Sequence, residues 1–393
     1  MMRIDPREKG WDSSSVMKTI QQNYMLSSEL LGVLEQFRRM LNDCIRIGLE
    51  TGATSLKSLS LKAYKELKGY EVPSAYKLCA ISRATGVLRN YRKAKRKGKR
   101  VREPCARRLQ LTTCYGFKIK DGCLLIPFRP KEPITIRLNQ HTLAVLSKSG
   151  GAVRSVTLTV DRLSIAYAKE VSEIQPEGLV GIDRNLDNLT LADSSERVEQ
   201  FDLTKATEIK SKYRMVKAHF KRNDVRVRKR IFQKYGEKEQ SKVQHIFHNA
   251  SKHIVEDAKA RGFGIVMEDL KGIRKLYRKG NWQGRYFRGR MNSWSFYELQ
   301  RQIEYKARWE GLPVFYVKSY GTSSRCSMCG HRLSEENRTV KCPSCGFTVD
   351  RDVNAAKNIL ARGMRFVPDA LPVEAMVQEP ALAVILKVDG GEI

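Results

Sequence analysis

The sequence predicts an α/β protein of several domains, on three observations. A chain of 393 residues is longer than one hydrophobic core normally organises. Short period-two apolar runs between about 112 and 170 read as antiparallel strands, whereas from 179 onward apolar strands alternate with helical stretches, as in an α/β layer architecture. Four cysteines in the spacing Cys326-x2-Cys329-x12-Cys342-x2-Cys345 predict a small metal-bound module of their own.

Val16 to Tyr24 reads as a first strand. Ser27, Ser28 and Glu29 then open a helix through Ile47, whose buried stripe is Leu30, Leu31, Val33, Leu34, Phe37, Met40, Leu41 and Cys44. More helix follows to about Tyr91. Residues 89–108 carry eleven Lys or Arg against one Glu. Because this run begins on a helix and ends before strands, it is expected to be a phosphate-binding ridge rather than a solvated linker, with Arg92, Lys93, Lys95, Arg96, Lys97, Lys99 and Arg100 as contacts. The alternating runs 124–126, 134–138, 156–160 and 163–167 predict a small β-barrel, with the helices of about 30–100 inserted after its first strand.

Residues 173–177 read as a linker. Strands are expected at 179–183, 189–192, about 197–202, 263–267 and 312–317. Highly basic helices are expected at 204–235 and 237–260, the second packing through Val243, Ile246, Phe247, Ala250, Ile254 and Ala258, and a further helix at 294–309. Lys221, Arg222, Arg226 and Arg228 extend the candidate nucleic-acid contacts. Tyr277, Trp282, Tyr286 and Phe287, interleaved with basic residues in a Gly-rich stretch, read either as a lid touching a single strand or as an ordinary basic loop. Residues 364–393 are acidic and apolar where the rest is basic, and read as a flexible tail.

The net charge is +31. Self-repulsion on that scale weakens the compact state unless a polyanion neutralises it, so nucleic acid is the expected partner. A membrane surface is not expected: no run of about 18 apolar residues appears, and MMRIDPREKGWDSS lacks the apolar stretch of a secretory signal. The five remaining cysteines, Cys44, Cys79, Cys105, Cys114 and Cys123, are scattered singly, which fits a reducing compartment, the cytoplasm in association with the nucleoid.

Paired C-x2-C knuckles suit tetrahedral Zn2+ with every position filled by thiolate, a structural site. Seven residues after Cys345, Asp352 opens an alanine-rich helix; Asp183 closes a buried apolar strand and Glu268 closes another. Strand ends and helix starts converge at one rim of a sheet. A single Asp in such a place is more often a cap or turn residue, but three carboxylates in this order suit two Mg2+ ions about 4 Å apart for phosphodiester hydrolysis. Asp187, Asp269 and Asp350 stand as near rivals, Asp350 being an alternative to Asp352. His245, His248 and His253 do not make a clean tetrahedral set and are assigned to solvent or RNA.

GIDRNLDNLTL around Asp183, VMEDLKGI around Glu268, SSRCSMCG…CPSCG and DRDVNAAKNIL around Asp352 resemble the TnpB proteins of insertion sequences and the related miniature type V CRISPR effectors over about 178–362, and VMKTIQQNYMLSSELLGVLEQFRRMLNDCIRIGLETG resembles them more loosely upstream. The resemblance implies that Asp183, Glu268 and Asp352 form a RuvC-like catalytic triad, with Arg325 near substrate phosphate. It implies an α/β multidomain fold: a RuvC/RNase H-like nuclease domain (178–320 and 348–363) with an inserted zinc ribbon (321–347), and a wedge-like β-barrel (1–27 and 105–172) carrying a helical recognition insertion (28–104). The implied activity is RNA-guided cleavage of double-stranded DNA next to a short motif, by a monomer or a homodimer on one guide RNA. A guided DNA-binding regulator without cleavage, an RNA-independent transposase and a non-catalytic zinc-ribbon scaffold are the alternatives.

Overall fold

The computed structural model describes residues 15–53, 55–129, 132–220, 224–278, 280–333, 338–367 and 384–387. The chain divides into two units, one of Ser15–Glu170 and one whose described part begins at Val171.

In the first unit β1 (Ser15–Asn23) leads into α1 (Ser28–Glu50), α2 (Leu56–Glu66) and α3 (Ser74–Arg96), followed by β2 (Gln110–Thr113), β3 (Lys118–Lys120), β4 (Cys123–Arg129), β5 (Glu132–Arg137), α4 (Gln140–Ser149), β6 (Ala152–Thr159) and β7 (Arg162–Glu170). Helix α1 starts where Ser27 accepts the Leu30 N–H, and buries the expected stripe except for half-buried Leu31. Helix α3 runs five residues beyond the expected end at Tyr91, because the Lys, Arg and Ala of that stretch are good helix formers. Helix α4 lacks a clean apolar period and starts on the Asn139 side chain, which accepts the Thr142 N–H at 2.7 Å.

Strand β1 pairs antiparallel with β7, from Ser15 opposite Glu170 to Asn23 opposite Arg162, so the three helices are inserted between paired strands. Hydrogen bonding divides the strands into two antiparallel sheets, β1-β7-β6-β2 and β3-β4-β5. Buried Gln22 ties them together: its Nε2 donates to the Arg137 carbonyl and its Oε1 accepts the Asn139 N–H.

The second unit contains β8 (Gly178–Arg184), β9 (Asn188–Asp193), β10 (Val198–Asp202), α5 (Thr204–His219), α6 (Val225–Ala260), β11 (Phe263–Asp269), α7 (Arg285–Ser293), α8 (Phe296–Trp309), β12 (Val314–Lys318), β13 (Thr339–Lys341), β14 (Thr348–Asp350), α9 (Arg351–Gly363) and β15 (Val384–Lys387). The break between the basic helices falls before Asp224, not at Gly236. Asp224 caps α6 by accepting the Arg226 N–H, and Gly236 is carried inside the helix. The aromatic and basic stretch after β11 contains a 3-10 turn, Ile273–Tyr277, and helix α7. Within the stretch read as a tail, Val384–Lys387 pairs parallel with β10, and residues 368–383 and 388–393 lie outside the described residues.

The main sheet has the order β12-β11-β8-β9-β10-β15, with β8, β11 and β12 parallel and β8-β9-β10 an antiparallel meander. Strand alternation sends Val180, Ile182, Ile265 and Met267 to one face, where they pack on α6 and α8. Leu179 and Val266 point to the other face, against Ile359 and Leu360 of α9. Among the described residues, no helix is long and apolar enough to cross a membrane.

Candidate active site

The two faces of the sheet decide where the acidic residues point. Asp183 follows Leu179 and Gly181 on the α9 face of β8, and Glu268 follows Val266 on the same face of β11. These strands are parallel and in register, Ile182 beside Met267, so the two carboxylates come level at adjacent strand ends. Helix α9 then delivers Asp352. It can lie this close to the sheet because β8 has Gly181 under it: a Cβ there would stand 2.6 Å from both the Ala356 carbonyl oxygen and the Leu360 nitrogen. At its far end Gly363 makes the same room for Val266, whose Cγ2 would lie 2.4 Å from a Cβ.

Asp183, Glu268 and Asp352 thus line one cleft of about 830 Å3. Asp183 and Glu268 are each 7% exposed. Hydrogen bonds fix all three. Asn185 Nδ2 donates to Asp183 Oδ2 at 2.8 Å and to Asn188 Oδ1 at 3.1 Å, and Asn188 Nδ2 donates to Asp352 Oδ2 at 3.1 Å. The Thr322 hydroxyl lies 2.5 Å from Glu268 Oε1. On the opposite face, buried Arg184 bonds Gln300 Oε1 at 2.8 Å and the Glu268 carbonyl, bracing the end of β11.

Burial, then the charges of Glu268 and Asp352, push the Asp183 carboxyl up to about 7 from its ordinary 3.8. Glu268 is also raised by burial, an effect that the Thr322 hydroxyl, Arg184 and Arg362 oppose. Asp183 and Glu268 are buried and Asp352 is half-buried, with Arg338 3.7 Å from its Oδ2. Such a donor set fits hard divalent cations held by oxygen.

The near rivals have other work. Asp350 caps α9, its Oδ1 accepting the Asp352 and Val353 N–H groups, and its Oδ2 pairs with Arg338. Asp187 pairs with Arg290 and Asp269 with Lys271.

The four cysteine sulfurs lie within 4.8 Å of one another, and among the described residues they are the one His, Cys, Asp or Glu group that does so. Cys326 and Cys345 sulfurs are 3.7 Å apart and those of Cys329 and Cys342 3.5 Å. A zinc tetrahedron with its usual Zn–S bonds has edges of about 3.8 Å, so the set fits one zinc ion. Leu333, Val340 and Phe347 pack beneath the knuckles, and β13 and β14 form their hairpin. Asn354 and Asn358 join this module to α9. Asn354 accepts the Ser327 N–H and donates to the Arg325 carbonyl, and Asn358 donates to the Thr322 and Arg325 carbonyls.

A family model described as "Cas12f1-like, TNB domain" matches residues 296–359, from α8 through the cysteine module into α9. The TnpB-like protein MJ0751 of Methanocaldococcus jannaschii is 32% identical over 260 residues, which span 63% of this chain and 92% of that protein. The chain belongs to the TnpB-like family. Shorter segments of this TnpB-like chain match the CRISPR-associated endodeoxyribonuclease Cas12f1 of Sulfoacidibacillus thermotolerans (38% identity; 28% of this chain, 25% of that one) and the putative RNA-guided DNA endonuclease InsQ of Escherichia coli (43% identity; 17% and 18%). Its fold is similar to that of the protein in a cryo-EM structure of a Cas12f1-sgRNA-target DNA complex, with a TM-score of 0.58 at 15% identity over 85% of this chain and 83% of that one. That likeness establishes a mixed α/β fold.

The TnpB-like chain brings its expected basic residues to several places. Arg92, Lys93, Arg96 and Lys97 line one groove along α3. Lys95 instead lies over the Tyr91 ring, and exposed Lys99 and Arg100 follow the helix end. Arg226 and Arg228 stand in the first turn of α6, and Lys221 and Arg222 lie outside the described residues. Exposed Arg325 bonds the Gly330 carbonyl at the knuckle. The three histidines are dispersed along α6, with His253 edge-on to Phe201.

Sequence reasoning missed Thr322, Asn185 and Asn188. The two asparagines had a signal, since they flank the turn between two predicted strands, where Asn normally bonds its own neighbourhood. Thr322 had none, because its partner is 54 residues away.

Proposed function

We propose that this protein is an RNA-guided DNA endonuclease in which Asp183, Glu268 and Asp352 form one RuvC-like site that hydrolyses both target strands. The observation that carries the reading is the convergence of three carboxylates from two strand ends and a helix start on one cleft. Membership of the TnpB-like family and the endonuclease names of its relatives support the same chemistry.

When bound, two Mg2+ ions would supply an activated water and stabilise the leaving oxygen. The chain's own part is positional. Asn185 and Asn188 hold Asp183 and Asp352 from the turn after β8, and Thr322 holds Glu268 from the segment before the knuckle. The cysteine module is proposed to be a zinc ribbon that fixes the start of α9 through Asn354. Residues 178–320 and 348–363 would make the nuclease domain, and 1–27 with 105–172 the wedge. The helices of 28–104 would recognise the heteroduplex of guide RNA and target by charge and shape. The pairing of β1 with β7 across those helices agrees with such an insertion. Burial of Asp183 and Glu268 in the cleft beside half-buried Asp352, with Asp183 raised to about 7, favours a working cation site over a silenced DNA-binding regulator.

The test is guided cleavage with the RNA that copurifies. Asp183→Ala and Glu268→Ala should each abolish Mg2+-dependent cutting while guided DNA binding persists, because metal ligation and heteroduplex grip use different groups. Retained cutting in either variant would reject the assignment.

A further inference from the structure

We infer that a second crevice, beside the carboxylate cleft, holds one nucleotide of the DNA strand being cut, an inference that rests on the nuclease reading above. The crevice has a volume of about 440 Å3 and lies between α5 and α7. Leu186, Asp187 and Arg290 line both it and the carboxylate cleft, so the two adjoin across the Asp187–Arg290 pair.

Its chemistry is that of an anion site with a stacking surface. Lys210, Arg214 and Lys217 face into it from α5, at the four- and three-residue spacing that puts side chains on one helix face. Two of the lining cations are already neutralised: Arg290 pairs with Asp187 at 2.9 Å and Lys217 with Glu239 at 2.6 Å. Arg214 and Lys210 make no ion pair among the described residues. The Arg214 guanidinium lies 5.2 Å over the ring of Tyr286, itself 64% exposed, and below Gly289 of α7. Lys210 bonds the Ser293 carbonyl and the Ser295 hydroxyl, and burial holds its pKa down at about 8. The remaining lining acid, Glu208, is exposed. A phosphodiester supplies the missing anion, and its base finds the Tyr286 face, the combination that suits single-stranded nucleic acid. A cavity of this volume takes a group of drug size, such as one nucleotide, and excludes a duplex. Its position against the carboxylate cleft, with three lining residues in common, favours the strand under hydrolysis over the guide RNA.

The test uses full-length protein with its copurified RNA and a short fluorescein-labelled oligothymidylate in Ca2+, with affinity read across a salt series. Arg214→Gln should weaken binding about tenfold, the size of one lost charge-assisted contact, and flatten the salt slope by about 0.7. Tyr286→Ala, a surface change that spares folding, should weaken binding about fivefold or more without changing that slope. Arg214→Lys should restore the slope but not the full affinity, because the stacked planar group is gone. If Arg214→Gln and Tyr286→Ala bind the oligonucleotide like the parent, the crevice is a packing void and the inference fails. If they lose copurified RNA while oligonucleotide affinity is unchanged, the crevice belongs to the guide and the inference also fails. Either result leaves the nuclease reading intact as long as the parent protein cuts guided DNA. A parent that never cuts with Mg2+ would sink that reading on its own.

Discussion

The Asp350 carboxylate accepts the backbone N–H of Asp352 at 2.8 Å, so the two acids at the start of α9 have different tasks. Asp350 caps the helix and is held by Arg338. Asp352, in the first turn of the helix, accepts from Asn188, and Arg338 also approaches it, at 3.7 Å. Asp352→Ala should therefore abolish cutting with little change in melting temperature. Asp350→Ala should cost about 1 kcal/mol of stability, the usual value of a helix cap, and Asp350→Ser should recover most of it with cutting retained. Cutting assays paired with thermal melts decide this, and the reverse pattern would move the proposed ligand two residues upstream.

Burial of Asp183, and then the charges of Glu268 and Asp352, make stability depend on pH in a definite direction. Folded Asp183 titrates at about 7, whereas its ordinary value is 3.8, so the folded state binds this proton more tightly than the unfolded chain does. Its favourable contribution is complete below pH 4, declines as pH rises, and is gone above pH 7. Metal-free Asp183→Asn should accordingly melt above the parent at pH 8 by a few kcal/mol of stability, and the gap should close toward pH 4. Added Mg2+ should raise the parent's melting temperature at pH 8 more than the variant's. Equal melting of the two proteins at pH 8 would mean that burial and the neighbouring charges of Glu268 and Asp352 do not raise the Asp183 carboxyl.

Close approach of α9 to the sheet predicts a penalty for the smallest substitution. The Cβ of Gly181→Ala would meet backbone atoms of Ala356 and Leu360 at 2.6 Å, and backbone cannot rotate away. The helix must lift, at about 1–3 kcal/mol, and Asp352 lifts with it. A misplacement of about 1 Å is enough to lower the cutting rate about 100-fold. Gly32→Ala is the control: it lies within α1 with nothing inside 4 Å of its new Cβ, and should be neutral or stabilising by up to about 1 kcal/mol.

Much of this was readable from the chain because the signals are local. Asp183 and Glu268 end strands whose apolar runs are unmistakable, and the C-x2-C spacing brings four sulfurs together through two tight turns. What escaped notice depends on distant partners or on competing local preferences. Thr322 matters because of Glu268, and Gly181 matters because of Ala356 and Leu360. The break before α6 went to Asp224 rather than Gly236 because a side-chain cap outweighs one tolerable glycine inside a long helix. Pairing of Val384–Lys387 with β10 joins segments some 185 residues apart, beyond any local pattern.

The two metals should separate cleanly. Four thiolates make a closed site whose binding free energy is also folding free energy, whereas Mg2+ keeps several waters and relies on a few carboxylates and substrate phosphate. Zinc should therefore survive gel filtration at one ion per chain, and brief EDTA should stop cutting reversibly while zinc remains. Cys326→Ser should lose the zinc and leave the 321–347 region sensitive to protease. The damage should then travel along a specific route. Asn354 holds Ser327 and the Arg325 carbonyl, so disorder in the knuckle releases the first turn of α9 on which Asp352 sits. Cutting by Cys326→Ser should fall and excess Mg2+ should not restore it. Asn354→Ala should reproduce part of that loss with the zinc still bound, as read by elemental analysis alongside cleavage rate. A Cys326→Ser protein that stays protease-resistant and cuts at the parent's rate would break the proposed link between ribbon and site.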